Sequence, residues 1–426
     1  MNVLVIMCDE LRYDALGCNG NKAVATPNID RLAQRSVCFD SCYTQAPVCS
    51  PARHSLATGK YPFAHGVLDN NYYPNPGMYT IAHALKPLGY RRFHLGHMHW
   101  KTDKIDNGYE PIVCHSLNEL VLSPQVLKRH HWEHDNMTRR CTAGPSTLKR
   151  DEYWGYQVAD RSVHLMEEAV QRGEKFLSWT SFTEPHPPFY PPKELYAKFD
   201  QSKLELPVEL AEGAPEPHPS IREKQKEWEH LTDVEKRQMK AGYYGMVELA
   251  DHYVGMVLEA VDRLKLWDNT MIILTADHGE QMGDHGLYTK FVLREPSVHV
   301  PLMIYHPEVK PGRRSELVEH VDILPTICDF TGAALPEGIH GHSLTPLMQE
   351  DSAPQNWRDS VFSQIRGHRM LRTKQWKLNE YDGTPGELYN LVNDPNELFN
   401  LIDDTNYQSV KEELIYRLNK ISSAEI

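Results

Sequence analysis

The sequence predicts an α/β fold: a large mixed, mostly parallel sheet sandwiched by helices, followed by a small C-terminal α+β subdomain. Three observations carry this. Several short apolar runs lack the alternation of a half-exposed strand, so they read as strands covered on both faces. Helical segments separate them, as parallel connections require. Ionisable residues recur directly after these runs, where α/β proteins place their ligands.

The first run, residues 2–8, ends in Asp9-Glu10. Thr26-Pro27-Asn28 opens a helix through Asp30 to Gln34, with Thr26 as cap and an early proline. Residues 90–95 lead into Gly96-His97-Met98-His99, and residues 175–182 into Thr183-Glu184-Pro185-His186. Residues 270–276 lead into Asp277-His278-Gly279, and residues 301–305 end at His306-Pro307. Between the two last blocks of the large unit, residues 234–264 have the apolar spacing of one long helix. The proline-rich stretch 185–219 reads as a surface excursion near the site. Past Asp329 the texture changes to turn-rich and polar segments. Short strands at 361–365 and 376–378 and a final helix from about Val410 follow. The expected division is a catalytic α/β domain over residues 1–330 and a smaller subdomain over 331–426, with a short antiparallel sheet and a terminal helix.

Composition excludes several classes. With 40% hydrophobic and 24% charged residues, the 426-residue chain is ordinary globular protein, not disordered or collagen-like. Its formal charge of −13 disfavours a primary nucleic-acid binder. Mean hydropathy is −0.55, and no apolar run approaches the ~20 residues of a membrane span. The N-terminal apolar run stops at Asp9-Glu10 with no basic leader or cleavage site, so the expected compartment is cytoplasmic. Eight thinly spread cysteines without a C-x-x-C pair are neither a disulfide framework nor a zinc-finger spacing.

Chemistry concentrates in a few places. In Cys49-Ser50-Pro51-Ala52-Arg53, Ser50-Pro51 reads as a helix start with Cys49 just outside it. A group there faces unpaired backbone N–H donors and the positive end of the helix, and Arg53 adds a forked cation one turn on. A buried thiol beside a surface arginine is the plainer reading, and the pentapeptide alone leaves the two even. Asp9, Glu10 and Asp277 stand at two strand ends with His278 beside them. Buried carboxylates so close would repel one another unless a cation sat among them. Oxygen-rich ligation suits Ca²⁺, Mg²⁺ or Mn²⁺, and the imidazole adds weight to Mn²⁺.

Cys49-Ser-Pro-Ala-Arg53, continued by Ser55-Leu56-Ala57-Thr58-Gly59-Lys60, resembles the signature of the type I, formylglycine-dependent sulfatases of the alkaline-phosphatase-like superfamily. The resemblance extends through Asp9-Glu10-Leu11-Arg12, Thr26-Pro27-Asn28-Ile29-Asp30, Ala276 to Glu280, Gly283-Asp284-His285-Gly286, Glu387 to Leu391 and Asp394 to Glu397. It implies a sulfuric ester hydrolase in which Cys49 is converted to formylglycine by a maturing enzyme. It implies one divalent cation, calcium by default, held by Asp9, Glu10, Asp277, His278 and residue 49. Arg53, His97 and Lys290 would bind the sulfate, while Cys49, Arg53, His99, His186 and Lys290 would act in catalysis. A small anionic sulfate ester, of a sugar or another small alcohol, is the implied substrate, and a homo-oligomer is compatible with it. Two positions depart from the family pattern. Glu10 stands where aspartate or glutamine is usual, and His97 where a lysine is usual.

Three other readings compete. A phosphonate monoester or phosphodiester hydrolase uses nearly the same site, and the Asp277-His278 pair and the missing lysine keep it open. His130-His131-Trp132-Glu133-His134 fits the H-x-x-E-H template of a zinc peptidase. Short templates match by chance, however, and the flanking Lys128-Arg129 and Arg139-Arg140 look more like a rim for an anionic substrate. A glycan-binding relative without turnover is the third, should Cys49 stay unconverted.

Overall fold

The computed structural model describes residues 1–100, 106–110, 142–210, 213–350 and 352–423. The zinc-peptidase template at 130–134 and its basic flanks lie outside the described residues.

The central sheet contains β1 (Asn2–Asp9), β2 (Val37–Tyr43), β3 (Arg91–Gly96), β4 (Phe176–Pro185), β5 (Thr270–Ala276), β6 (His299–Tyr305), β7 (Gly312–Arg314) and β8 (Val318–Glu319). Its order is β3-β4-β1-β5-β6-β2-β7, with β8 also paired to β2. β1 is an interior strand, parallel to β4 and β5 on either side, and all eight of its residues are buried. That burial is what its unbroken apolar run requires.

The sheet is mixed because β6 runs antiparallel to both β5 and β2. Tyr305 therefore pairs with Ile272 near the start of β5, and His306 leaves from the edge opposite Asp277. His306 stacks on Phe330 at 4.1 Å between ring centroids. It is a packing histidine. β2 was not legible as a strand: Asp40 and Ser41 interrupt it, and its register with β6 shifts between Phe39 and Cys42.

The helices that matter here are α1 (Pro27–Ala33), α2 (Cys49–Thr58), α3 (Trp154–Gln171), α4 (Pro219–Lys226), α5 (Asp233–Arg263), α6 (Ile323–Thr331) and α7 (Gln408–Ser423). α5 is the long helix expected at 234–264, started by a reciprocal cap between Thr232 and Glu235. Its buried Asp251 accepts hydrogen bonds from the backbone of Asn28 (3.1 Å) and Ile29 (2.8 Å). Asp251, not Thr26, thus satisfies the first turn of α1. Thr26 accepts from Gly17 N instead.

Helix α2 starts one residue earlier than expected, at Cys49, with Val48 as its cap residue. Asn70 Oδ1 accepts from Ser50 N at 2.9 Å, while the Ser50 hydroxyl donates to His99 O. Every residue of α2 is buried. A helix with no wet face shows no apolar stripe in sequence, and only its motif betrayed it.

The second sheet is antiparallel, β12-β11-β10-β9, built from β9 (Ser360–Ile365), β10 (His368–Thr373), β11 (Trp376–Tyr381) and β12 (Thr384–Asn390). β9 and β11 cover the two expected strands. β10 and β12 are additional, and α7 packs on β10 and β11.

Candidate active site

The carboxyl ends of β1 and β5 and the N-terminus of α2 converge on one point. Asp9, Cys49, Asp277 and His278 each bring a ligand atom to within 4.8 Å of the others, and all four residues are buried. Cys49 Sγ lies 3.2 Å from His278 Nε2 and accepts from Lys290 Nζ at 3.2 Å. His278 Nδ1 faces Gly279 O at 2.9 Å, which points Nε2 at the sulfur and carboxylates.

Arg53 is wholly buried and forks across both aspartates. Nη2 meets Asp9 Oδ2 at 2.9 Å, and Nε donates to Asp277 Oδ2 at 2.9 Å. Its Nη1 donates to His97 O and, at 2.6 Å, to Ser181 Oγ. Gly96 permits this approach: its φ is +83°, and a Cβ there would lie 1.9 Å from Ser181 O. Ser181, within β4, was missed in the sequence because its role depends on a neighbouring strand. Asn70 was missed for a similar reason.

The electrostatics separate the three carboxylates. Burial works to raise Asp9, but Arg53, His186 and Lys290 outweigh it and hold the group well below the usual carboxylate range. Asp277 is also lowered, Arg53 overcoming burial. Glu10 behaves oppositely, pushed up to about 8 by burial in spite of Lys290, with Glu280 adding to the rise. Burial, then Asp9, pushes the Cys49 thiol up, so the plain cysteine stays protonated. Lys290 is held cationic, because the groups around it outweigh its burial.

Glu10 stands outside this four-residue cluster. Its φ is +66°, its backbone N donates to Asp277 Oδ1, and its Oε2 accepts from Lys290 Nζ at 2.9 Å. It groups instead with Asp9 and His186, whose Nε2 lies 3.5 Å from Glu10 Oε2. Glu10 Oε1 is buried and has no hydrogen-bond partner among the described residues.

His97 and His99 face each other, Nε2 to Nε2 at 2.7 Å. Burial and then Arg53 lower His97 to about 4; burial and then His97 lower His99 to about 2. Both rings are neutral near pH 7, so His97 does not replace the charge of a lysine. Every described residue expected at the site is at this one location.

The donor set fits a divalent cation. Two ionised carboxylate groups, an imidazole nitrogen and residue 49 surround one point, and a cation there would offset the negative charge that Arg53 shares. Asp9, Asp277, His278 and residue 49 would hold it.

Comparison with known proteins agrees. Residues 1–333 match the sulfatase family, and residues 283–424 match the C-terminal part of N-sulphoglucosamine sulphohydrolase. An arylsulfatase of Clostridium perfringens is 28% identical, over 92% of this chain and 90% of that protein. The human iduronate 2-sulfatase is 28% identical, over 79% of this chain and 70% of that protein. Among solved structures, the phosphonate monoester hydrolase of Agrobacterium radiobacter superposes with a TM-score of 0.83 at 26% identity. It covers 99% of this chain and 95% of that one. With the family match spanning most of its length and the Asp9, Asp277-His278 and Lys290 motifs gathered around Cys49, the chain belongs to the sulfatase family and is a hydrolase of that family.

Proposed function

We propose that this sulfatase cleaves sulfate monoesters of sugars or other small alcohols at residue 49. The observation that carries the reading is the placement of Cys49 between Asp9, Asp277, His278 and Lys290 at the buried start of α2. Once converted to formylglycine, residue 49 offers a hydrated aldehyde, with one hydroxyl to attack sulfur and a second through which sulfate can be expelled. A plain thiol lacks that second hydroxyl. A bound cation, calcium first and manganese or magnesium next, supplies Lewis-acid stabilisation of the charge on the sulfate oxygens. A formylglycine-generating or sulfatase-maturing enzyme is the partner this requires.

The chain's own residues have separable tasks. Asp277, kept ionised, is placed to accept the proton of the attacking hydroxyl. Arg53 and Lys290 hold charge against the developing sulfuryl group. His186, beside Glu10, or Lys290 gives a proton to the departing alcohol. His99 is neutral and able to accept the proton of the second hydroxyl, and the 2.7 Å contact lets His97 share it. The division near residues 330–331 belongs to the same reading, supported by the change from the eight-stranded to the four-stranded sheet.

A second reading has its own support. The Asp277-His278 pair, a neutral His97 and the likeness to a phosphonate monoester hydrolase favour phosphonate monoesters or phosphodiesters at the same site. Parallel assays of formylglycine-bearing protein on 4-nitrophenyl sulfate and 4-nitrophenyl phenylphosphonate, with and without chelator, decide between them. The sulfatase reading expects the higher kcat/KM on the sulfate and loss of turnover on metal removal. A higher kcat/KM on the phosphonate overturns it.

A further inference from the structure

The catalytic lysine is followed at once by a residue of quite different surroundings. Phe291, with φ of +74°, donates its backbone N to Pro47 O, and its ring meets two cations from distant parts of the chain. Lys224 at the end of α4 places Nζ 5.5 Å from the ring centroid and donates to Phe291 O at 3.1 Å. Arg366, in the turn between β9 and β10, places Cζ 5.7 Å from the same centroid.

Contacts tie this group to the residues around Cys49 from both sides. Arg366 Nε and Nη2 both engage Asp69 Oδ2, at 2.8 and 2.7 Å, and its backbone N donates to Leu68 O. The next residue, Asn70, is the one that accepts from Ser50 N beside Cys49. A closed ring therefore runs Cys49, Ser50, Asn70, Asp69, Arg366, Phe291, Lys290 and back to Cys49. Tyr72, whose N donates to Asp69 O, exposes 48% of its surface from the same loop.

Both cations keep donor capacity beyond their protein contacts. The Arg366 side chain is 58% exposed, and its Nη1 has no hydrogen-bond partner among the described residues. No carboxylate among the described residues lies within ion-pair distance of Lys224. Burial and then the nearby Arg366 lower the pKa of Lys224, and Glu227, Asp69 and Glu223 only partly offset them, so an anion at the ring would favour the charged lysine. Asp69 answers one of the two charges that converge on Phe291, one residue from the catalytic lysine, and leaves the other available to an anion.

We propose that Lys224, Arg366 and Phe291, with Tyr72 on the loop that carries Asp69, form a rim subsite for a second anionic group of the substrate. The preferred ester is then a sulfated sugar that carries a further sulfate or a carboxylate. This rests on the sulfatase reading of the site and narrows it.

The test compares four esters on the formylglycine-bearing, calcium-loaded protein. 4-Nitrophenyl sulfate and N-acetylglucosamine 6-sulfate carry one anion. Glucosamine 2-N,6-O-disulfate adds a second sulfate, and iduronic acid 2-sulfate adds a carboxylate. The expected result is a kcat/KM at least about tenfold higher on one of the doubly charged sugars than on the singly charged sugar. Which of the two benefits tells whether a sulfate or a carboxylate is taken. In Arg366→Gln and Lys224→Gln that ratio falls towards one, through KM. Equal preference in the unaltered protein overturns the subsite, as does a loss in the variants that is the same on every ester.

Calorimetry on Cys49→Ala protein separates the two hypotheses. Tighter binding of a doubly charged sugar that disappears with Arg366→Gln supports the subsite even where no ester is hydrolysed. Turnover of the aryl sulfate without any such difference overturns the subsite and leaves the sulfatase reading standing.

Discussion

Two buried glutamates, each facing a buried cation, sit at opposite ends of the segment from Lys290 to Arg294. Glu10 meets Lys290 at 2.9 Å, and Glu387 on β12 meets Arg294. Burial raises both, yet Glu10 ends near 8 while Glu387 ends below its ordinary value. The difference is hydrogen bonding. The second oxygen of Glu387 accepts from Asn379 at 2.9 Å and Tyr381 at 2.6 Å. Glu10 has an orphan oxygen and a second glutamate, Glu280, beside it. A salt bridge alone does not settle the state of a buried carboxyl; the remaining donors do. The glutamate with both oxygens satisfied, at the subdomain seam, is structural. The unsaturated one, beside Cys49, keeps capacity for a ligand.

The strongest way to separate the two regions is to break one and watch the other. Cys49→Ala should lower kcat on any ester by at least about 10³-fold. The chemical denaturation midpoint should stay near that of the parent, because the seam is untouched. Activity at the parental level in that variant would end the formylglycine reading.

Breaking the seam should do the reverse. Glu387→Ala leaves Arg294 buried without its carboxylate, at a cost of about 3–5 kcal/mol. Arg294 also donates to Glu397 O at 3.0 Å, and Lys377 bridges Glu295 and Glu397 at 3.0 and 2.9 Å. The measured free energy of unfolding should fall by that amount. An unchanged value would show that these ion pairs do not hold the subdomain in place.

Between site and seam, α2 has its own acid sensitivity. Burial lowers His54 to about 4. Its folded pKa is thus below the unfolded value of ~6.5. The unfolded chain takes the proton first, so stability is fully present above ~6.5 and is lost as pH falls towards 4. The loss is on the order of 3 kcal/mol for this one group. Unfolding titrations from pH 7 to 4 should show that slope, and His54→Gln should reduce it. An unaltered slope in the variant would remove His54 from the account.

The smallest effect sharpens the description of the site itself. His97→Gln should lower kcat by roughly tenfold, about 1.4 kcal/mol, by removing the partner of His99 while leaving KM near its parental value. A rise in KM instead would return His97 to a direct role in sulfate binding.

The sequence revealed the parts of the fold that obey simple rules. β1 and β5 are continuous apolar runs because helices cover both faces, and α5 shows its period over eight turns. β6 was legible as a strand, but nothing in Pro301 to Tyr305 states its direction, which long-range pairing decides. In the site, Asp9, Cys49, Arg53, Asp277, His278 and Lys290 were legible as motifs. Ser181 and Asn70 were not, because each acts on a residue brought close only by tertiary structure. Glu10 was legible as a carboxylate in the right place, but not the positive φ that turns it towards Lys290.

The complete enclosure of α2 sets an order of events in the life of the molecule. Cys49 exposes 0% of its surface, and none of the nine residues after it offers an outside face. Any enzyme that alters Cys49 has to reach it while the chain is still open. Folding then seals whatever residue 49 has become. On the proposed formylglycine reading, chains that close before conversion form an idle fraction, and the active share of a preparation records a race between modification and folding.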